Sequence, residues 1–405
     1  MKAPLTTFLD AARKRVEAGA YRLEGPALRP NGSLASIVRR GGAILAEVKP
    51  TSPSEGRLLR RPAREVLSEF TQGGADGLSL CTDADRFDGS PALLREAHAT
   101  GLPTLMTDFV VDEAQLDCAR HNGASAVRLI ERALGAERRE ALVAAAHARG
   151  LEILLEISDA AEWQIARSSK ADLTGVDARD PNLALDSAAA TILLGQIAQE
   201  RPGTVVALFD VNDRAGVRLA HAVGAGAALV GTSLLRSPDP ILLLRSLRHP
   251  LAMVCGLRTA ADVAVVAQAG ADLAGFELGT PGSPRNLNTL EAQRLADQAR
   301  ALGLRPVLVT RSMELATVRE WCRFVRPDYV QLHGPAPPEW VHSLAAIPVH
   351  VLFALGPTTD GPTAEIFAEG AGLIIDLHAD GALESMPGHL DPARVVAFVK
   401  AVQSA

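Results

Sequence analysis

An α/β fold with parallel sheets, laid out as two (β/α) barrels in tandem with the second truncated, is what this sequence predicts. Three observations predict it. One punctuation recurs: glycine closes a helix, alanine follows and an apolar strand begins. It occurs as GGADGLSLC from Gly73, NGASAVRLI from Asn122, VGAGAALVG from Val223, AGADLAGFEL from Ala269 and EGAGLIIDL from Glu369. A glycine just past a helix end takes a left-handed turn that satisfies stray carbonyls. The strands that follow are short and rich in Val, Ile and Leu, which suits burial on both faces of a parallel sheet. Helices alternate with them along the whole chain. Finally, the first half holds about eight such strands, the number of a TIM-type barrel.

The elements follow in order. The N-terminal MKAPLTTFLDAARKRVEAG reads as an amphipathic helix without an apolar signal core. The barrel strands centre on AILAEVK, GLSLCT, PTLMTDF, AVRLIE, LEILLEIS, LTGVDAR, VVALFDV and AALVGTSLL. Ser90 and Pro91 start one intervening helix and Gly101 ends it. Asp159 and Glu162 form the pattern of a capping box. RHPLAMVCG marks a join near Pro250, giving a first domain over 1–247 and a second over 251–405. The second half offers six strands: LAMVCGL, LAGFEL, RPVLVT, YVQLHG, VHVLFAL and GLIIDLH. A full barrel of this type takes about 250 residues, so the second is shortened.

Composition excludes several classes. Net charge is only −6 and aromatics are 4% of residues, so no basic or base-stacking surface for nucleic acid is expected. Four cysteines lie far apart, with no zinc-binding spacing, which fits a reducing cytoplasm. No apolar run is long enough to cross a membrane. The expected partner is a small-molecule substrate. Self-association or a pathway partner protein is left open.

In a (β/α) barrel, side chains at the C-terminal strand ends carry the chemistry. In the first half these positions hold Glu47 and Lys49, Thr82 and Asp83, Thr107 and Asp108, Glu131, Glu156, Asp177 and Arg179, Asp210, and Thr232. Taken singly, each is as well explained as a solvated loop residue. Glu47 and Glu156 stand out, because each ends a strongly apolar strand and a desolvated carboxylate needs a cation or donor. Lys49, two residues beyond Glu47, points the same way. Ser52, Ser54 and Gly56 make a loop suited to an anion. Gly231 and Thr232 begin the last loop, either a phosphate-binding turn or an ordinary helix cap.

These motifs together resemble a known fusion. AEVKPTSPSEG, LSLCTDADRFDGS, LMTDFVVDEAQ, LLEIS, GVDARD and LVGTSLLRSPDP resemble indole-3-glycerol-phosphate synthase. VCGLRTAADV, AGADLAGFEL, SPRNL, VQLHG and PGHLDPARVVAFV resemble phosphoribosylanthranilate isomerase. The resemblance implies two successive steps of tryptophan biosynthesis, a ring-closing decarboxylation and an Amadori isomerisation. It implies that Glu47 and Lys49 hold the substrate and its carboxylate, that Ser52 helps bind phosphate and that Glu156 takes part in proton transfer. Asp177, Arg179, Gly231 and Thr232 fall on substrate-binding positions. In the second half the resemblance makes Cys255 the general base, with Arg285, Gln331 and His333 lining the site.

The departures are as informative. The family's general-acid lysine is Thr107 here, and a hydroxyl cannot supply a proton comparably near neutral pH. Its asparagine on strand six is Asp177. Its Glu-Ser-Gly on strand seven is Leu208-Phe209-Asp210. A carboxylate at Asp210 would repel a phosphate; at about 4 Å and an effective dielectric of 20 two unit charges interact by roughly 4 kcal/mol. In the second half a basic residue is replaced by Met253, and Asp376 is a poor stand-in for the family's general acid. The sequence therefore predicts a homologue that is weak or inactive in both reactions. Two rivals are a repurposed lyase or isomerase and a non-catalytic protein that binds a metabolite or a partner. No cofactor is expected, although Glu47, Glu156, Asp177 and Asp210, if all inward, would suit Mg²⁺ or Mn²⁺.

Overall fold

The computed structural model describes residues 5–177, 187–209, 211–249, 251–312, 314–333, 338–354, 372–374, 384–386 and 389–404. The chain divides into two compact units, Met1–Arg248 and His249–Ala405.

All eight strands expected in unit 1 form. They are β1 (Ala43–Val48), β2 (Gly77–Cys81), β3 (Thr104–Thr107), β4 (Ala126–Ile130), β5 (Glu152–Ile157), β6 (Leu173–Val176), β7 (Val205–Ala207) and β8 (Ala227–Val230). They pair in parallel and close on themselves, β1 meeting both β2 and β8. Side chains alternate between two apolar layers. Ala43, Leu45, Leu105, Ala126, Leu154, Leu173, Val206, Leu208 and Ala227 fill the barrel interior. Their neighbours Ile44, Met106, Val127, Leu155, Val176 and Phe209 pack in the layer shared with the surrounding helices. This alternation decides which polar residues face the barrel axis, and the site below depends on it.

Local signals act much as the sequence suggests. Asp159 caps the helix Ala160–Ala166, accepting from the Glu162 amide at 2.8 Å. The Glu162 carboxylate answers at the Ser158 amide (2.8 Å), one residue earlier than a simple capping box requires. The N-terminal helix Leu5–Glu17 buries Leu9 and Ala12 against Phe109 and Ile130, at the ends of β3 and β4.

In unit 2 six strands pair in parallel in chain order: β9 (Met253–Val254), β10 (Leu273–Leu278), β11 (Arg305–Thr310), β12 (Tyr329–Leu332), β13 (His350–Ala354) and β14 (Gly372–Ile374). Each lies within a strand read from the sequence. Among the described residues the sheet does not close, in keeping with a shortened barrel. A helix, Pro392–Ser404, ends the unit and sends Val395 and Val399 into its core. Among the described residues, no helix is long and apolar enough to cross a membrane.

Candidate functional site

Unit 1 brings Glu47 and Glu156 to the C-terminal mouth of the barrel. Glu47 follows Leu45 by two residues on β1 and so faces the axis, 9% exposed. Lys49 Nζ lies 3.2 Å from Glu47 Oε2. Gly231, on the neighbouring strand end, explains its own identity: a Cβ there would stand 2.9 Å from Glu47 Oε2. It opens the short helix Thr232–Arg236 without a side-chain cap. Ser52 is buried in a small hairpin, Thr51–Ser52 with Gly56–Arg57, and its hydroxyl meets that of Ser54 at 3.2 Å.

Glu156 sits inward on β5, two residues past Leu154, and is 7% exposed. Its cation is Arg128 Nη1, at 3.1 Å. The sequence reading expects Arg179 in that balancing role and passes over Arg128, which lies in the middle of β4 rather than at a strand tip. Arg179 itself lies outside the described residues. Burial works against the Arg128 charge, but Glu156, then Glu47, Cys81 and Asp177, together hold its pKa above the ordinary arginine value. Asp177 follows β6 directly and anchors there through its amide to the Ile157 carbonyl (3.0 Å).

Thr107 ends β3, 2% exposed, and its hydroxyl has no hydrogen-bond partner among the described residues. The adjacent Asp108 does different work. It accepts from the Thr82 hydroxyl (2.8 Å), the Tyr21 hydroxyl (3.0 Å) and the Phe109 amide (2.8 Å), and faces Arg15 at 3.2 Å. Arg15 also pairs with Asp83 (2.6 Å) and with Asp85. Burial raises the Asp108 pKa above the usual carboxylate value, even though the Thr82 hydrogen bond and Arg15 oppose it. Thr82, Asp83 and Asp108 therefore tie down the N-terminal segment. Glu131 is likewise structural, bound to buried Arg139 at 2.5 Å.

Strand seven divides its two described departures. Leu208 belongs to the barrel interior, where its Cδ1 would meet a Cβ on Gly175 at 2.5 Å. Phe209 instead packs in the outer layer, so it faces the helices and not the mouth. Asp210 lies outside the described residues. Among the described residues no three His, Cys, Asp or Glu side chains group as a metal site. Glu47 and Glu156 each have a protein cation, Lys49 and Arg128.

Unit 2 builds its hollow from β9, β10, β11 and β12. Cys255, Gly256, Glu277, Thr280, Arg285, Val309, Thr310, Arg311 and His333 line it. Two glycines create the space. Gly275 on β10 lies where a Cβ would be 2.6 Å from Cys255 Sγ. Gly256, at φ +78°, allows the Arg285 side chain to lie directly against the backbone beside Cys255. His333 Nε2 is 3.3 Å from the Oε1 of fully buried Gln331. The Glu277 carboxylate accepts from Ser283 (2.6 Å). Arg311 is a second cation that the sequence reading did not single out. Met253 is buried, and Asp376 lies outside the described residues.

Comparison with known proteins matches both units. Residues 9–247 match the family model for indole-3-glycerol phosphate synthase, and 252–399 that for N-(5'-phosphoribosyl)anthranilate isomerase. The indole-3-glycerol phosphate synthase of Methanopyrus kandleri is 35% identical over 245 residues, covering 59% of this chain and 96% of that protein. A multifunctional tryptophan biosynthesis protein of Phanerodontia chrysosporium is 33% identical over 290 residues, 66% of this chain and 37% of its own length. Among solved structures, the Thermotoga maritima phosphoribosyl anthranilate isomerase aligns at 18% identity and TM-score 0.32, covering 38% of this chain and all of that one.

Proposed function

The chain belongs to the indole-3-glycerol phosphate synthase family and continues into a phosphoribosylanthranilate isomerase domain, and from that premise we propose that it carries both catalytic frameworks while turning over the family's reactions slowly. One observation carries the reading. At the mouth of unit 1, the buried carboxylates of Glu47 and Glu156 pair with the partly buried cations Lys49 and Arg128, while position 107 offers only a hydroxyl. Keeping such pairs desolvated is costly unless geometry or function maintains them. In this reading Glu47 and Lys49 hold the substrate, Glu156 moves protons, and Ser52, Gly231 and Thr232 face its phosphate. Asp177 and Arg179 complete the substrate contacts.

Thr107 sets the rate. A hydroxyl in place of an ammonium removes the general acid, and such a loss costs about 10²–10⁴. Leu208 adds an apolar wall where the family has a carboxylate. In unit 2, Cys255 is the proton-transfer base, with Arg285, Gln331 and His333 around the substrate. The test is turnover of 1-(o-carboxyphenylamino)-1-deoxyribulose 5-phosphate by the purified chain. Ring closure about a thousandfold slower than in an ordinary synthase is expected. Growth of a synthase-deficient auxotroph rescued at normal expression would overturn the slow part of the reading.

A further inference from the structure

β3 and β4 pair in parallel with Leu105 beside Ala126 and Met106 beside Val127. One step further along this register lie Thr107 and Arg128. Adjacent strands stand about 4.8 Å apart. Both residues follow interior positions, Leu105 and Ala126, by two, so both face the barrel axis. Arg128 is bound to Glu156 through Nη1, while its buried Nε has no hydrogen-bond partner among the described residues. The same holds for the hydroxyls of Thr107 and of Ser79, the inward residue of β2 in register with Glu47. Buried donors left without acceptors are uncommon and call for an explanation. Three of them here lie on three consecutive strands, all facing one end of one barrel.

We propose that Arg128 is the oxyanion-binding residue of unit 1: its Nε–H, with the Thr107 hydroxyl beside it, receives the carbonyl oxygen of the substrate as negative charge builds there. This rests on the reading above that unit 1 acts on a carbonyl. The attacking carbon forms a bond to the carbonyl carbon, and the π pair moves onto oxygen. Arg128 donates a hydrogen bond to that oxygen and keeps its proton, because a guanidinium does not deprotonate in proteins. The proton that finally reaches the oxygen comes from solvent, while Glu156 stays a carboxylate, paired with the same guanidinium at 3.1 Å. The charge that meets the carbonyl oxygen thus enters from β4 rather than β3, as a permanent cation in place of a proton donor. Preorganised donors of this kind act strongly where water is excluded.

The test uses the full chain under single-turnover conditions, with indole formation as the readout. Binding of the reduced analogue, which has no carbonyl, is measured alongside. Arg128→Gln should slow ring closure by about 10²–10³, the usual effect of removing one oxyanion donor. Its affinity for the reduced analogue should change by less than about threefold, since an interaction made only in the transition state does not show in the ground state. Arg128→Lys should recover part of the rate. Its activity should also fall more steeply above about pH 9 than the parent's, because an ammonium of ordinary pKa about 10.4 titrates there. Glu156, Glu47, Asp177, Cys81 and Lys49 face this position in parent and variant alike, so the difference isolates residue 128. Equal rates for parent and Arg128→Gln, matched losses of rate and analogue affinity, or an unchanged alkaline profile in Arg128→Lys would each overturn the inference. A parent chain with no turnover at all would overturn the functional reading first and this inference with it.

Discussion

The two units hold their candidate sites by opposite means. Unit 1 fills a closed barrel and keeps charged groups in its mouth by pairing them, Glu47 with Lys49 and Glu156 with Arg128. Unit 2 opens space beside one thiol by leaving side chains out, at Gly256 and Gly275. The first arrangement is electrostatic, and its weak point is a missing partner. The second is steric, and its weak point is an added methyl. A site made of space does not tolerate being filled.

Changes at each site test that contrast. The largest effect is expected at Cys255. Cys255→Ala should lower isomerisation by about 10²–10⁴, the range for one general base, and leave ring closure unchanged. A parallel fall in both activities would show that the two sites do not work independently. Next comes Glu156→Leu, which leaves Arg128 buried without its nearest carboxylate. Breaking such a pair costs about 3 kcal/mol. Chemical denaturation should show it in the transition of unit 1 only.

Gly275→Ala should cost unit 2 about 1–3 kcal/mol, the usual range for overpacking, because the new Cβ would lie 2.6 Å from Cys255 Sγ. A smaller loss in the thermal transition would mean that the sheet yields there.

The thiols sharpen the contrast further. Cys81, Cys118 and Cys322 are buried, while Cys255 is partly exposed. Burial pushes Cys118 up to about 11 and Cys322 to about 12, and raises Cys81 as well. Iodoacetamide at pH 8 should therefore modify Cys255 first in the native chain, as peptide mapping would show. The sign for stability follows. These thiols bind their protons more tightly folded than unfolded, so their contribution is full below the ordinary thiol value of 9.0 and is lost as pH rises through 11–12. Urea midpoints across pH 8 to 11 check it.

The smallest effect is expected at Thr107. Thr107→Lys should change ring closure by less than about tenfold, since general-acid gains need a correctly placed group. Here the ammonium would arrive beside the Arg128 guanidinium, with Leu208 still in the interior. A single-residue rescue to family rates would show that Arg128 and Leu208 scarcely matter.

By itself, the sequence determined the elements. Each of the fourteen parallel strands begins within an apolar run that follows a glycine, proline or short polar turn, because burial on both faces leaves a local mark. Glu47 and Glu156 were legible too, as carboxylates closing apolar strands. Arg128 was not. In a strand buried on both faces, alternation says which residues share a face but not which face looks to the axis. Only closure of the barrel made Ala126 and Arg128 interior. The same holds for Phe209, whose place in the outer layer follows from strand register rather than from its neighbours in sequence. Asp108 shared a strand tip with Thr107 and looked equally catalytic. Tertiary structure gave it to Tyr21 and Arg15, residues 87 and 93 positions away along the chain. Pairing across such distances leaves no local pattern, because it is the folded barrel that brings the N-terminal segment to its mouth.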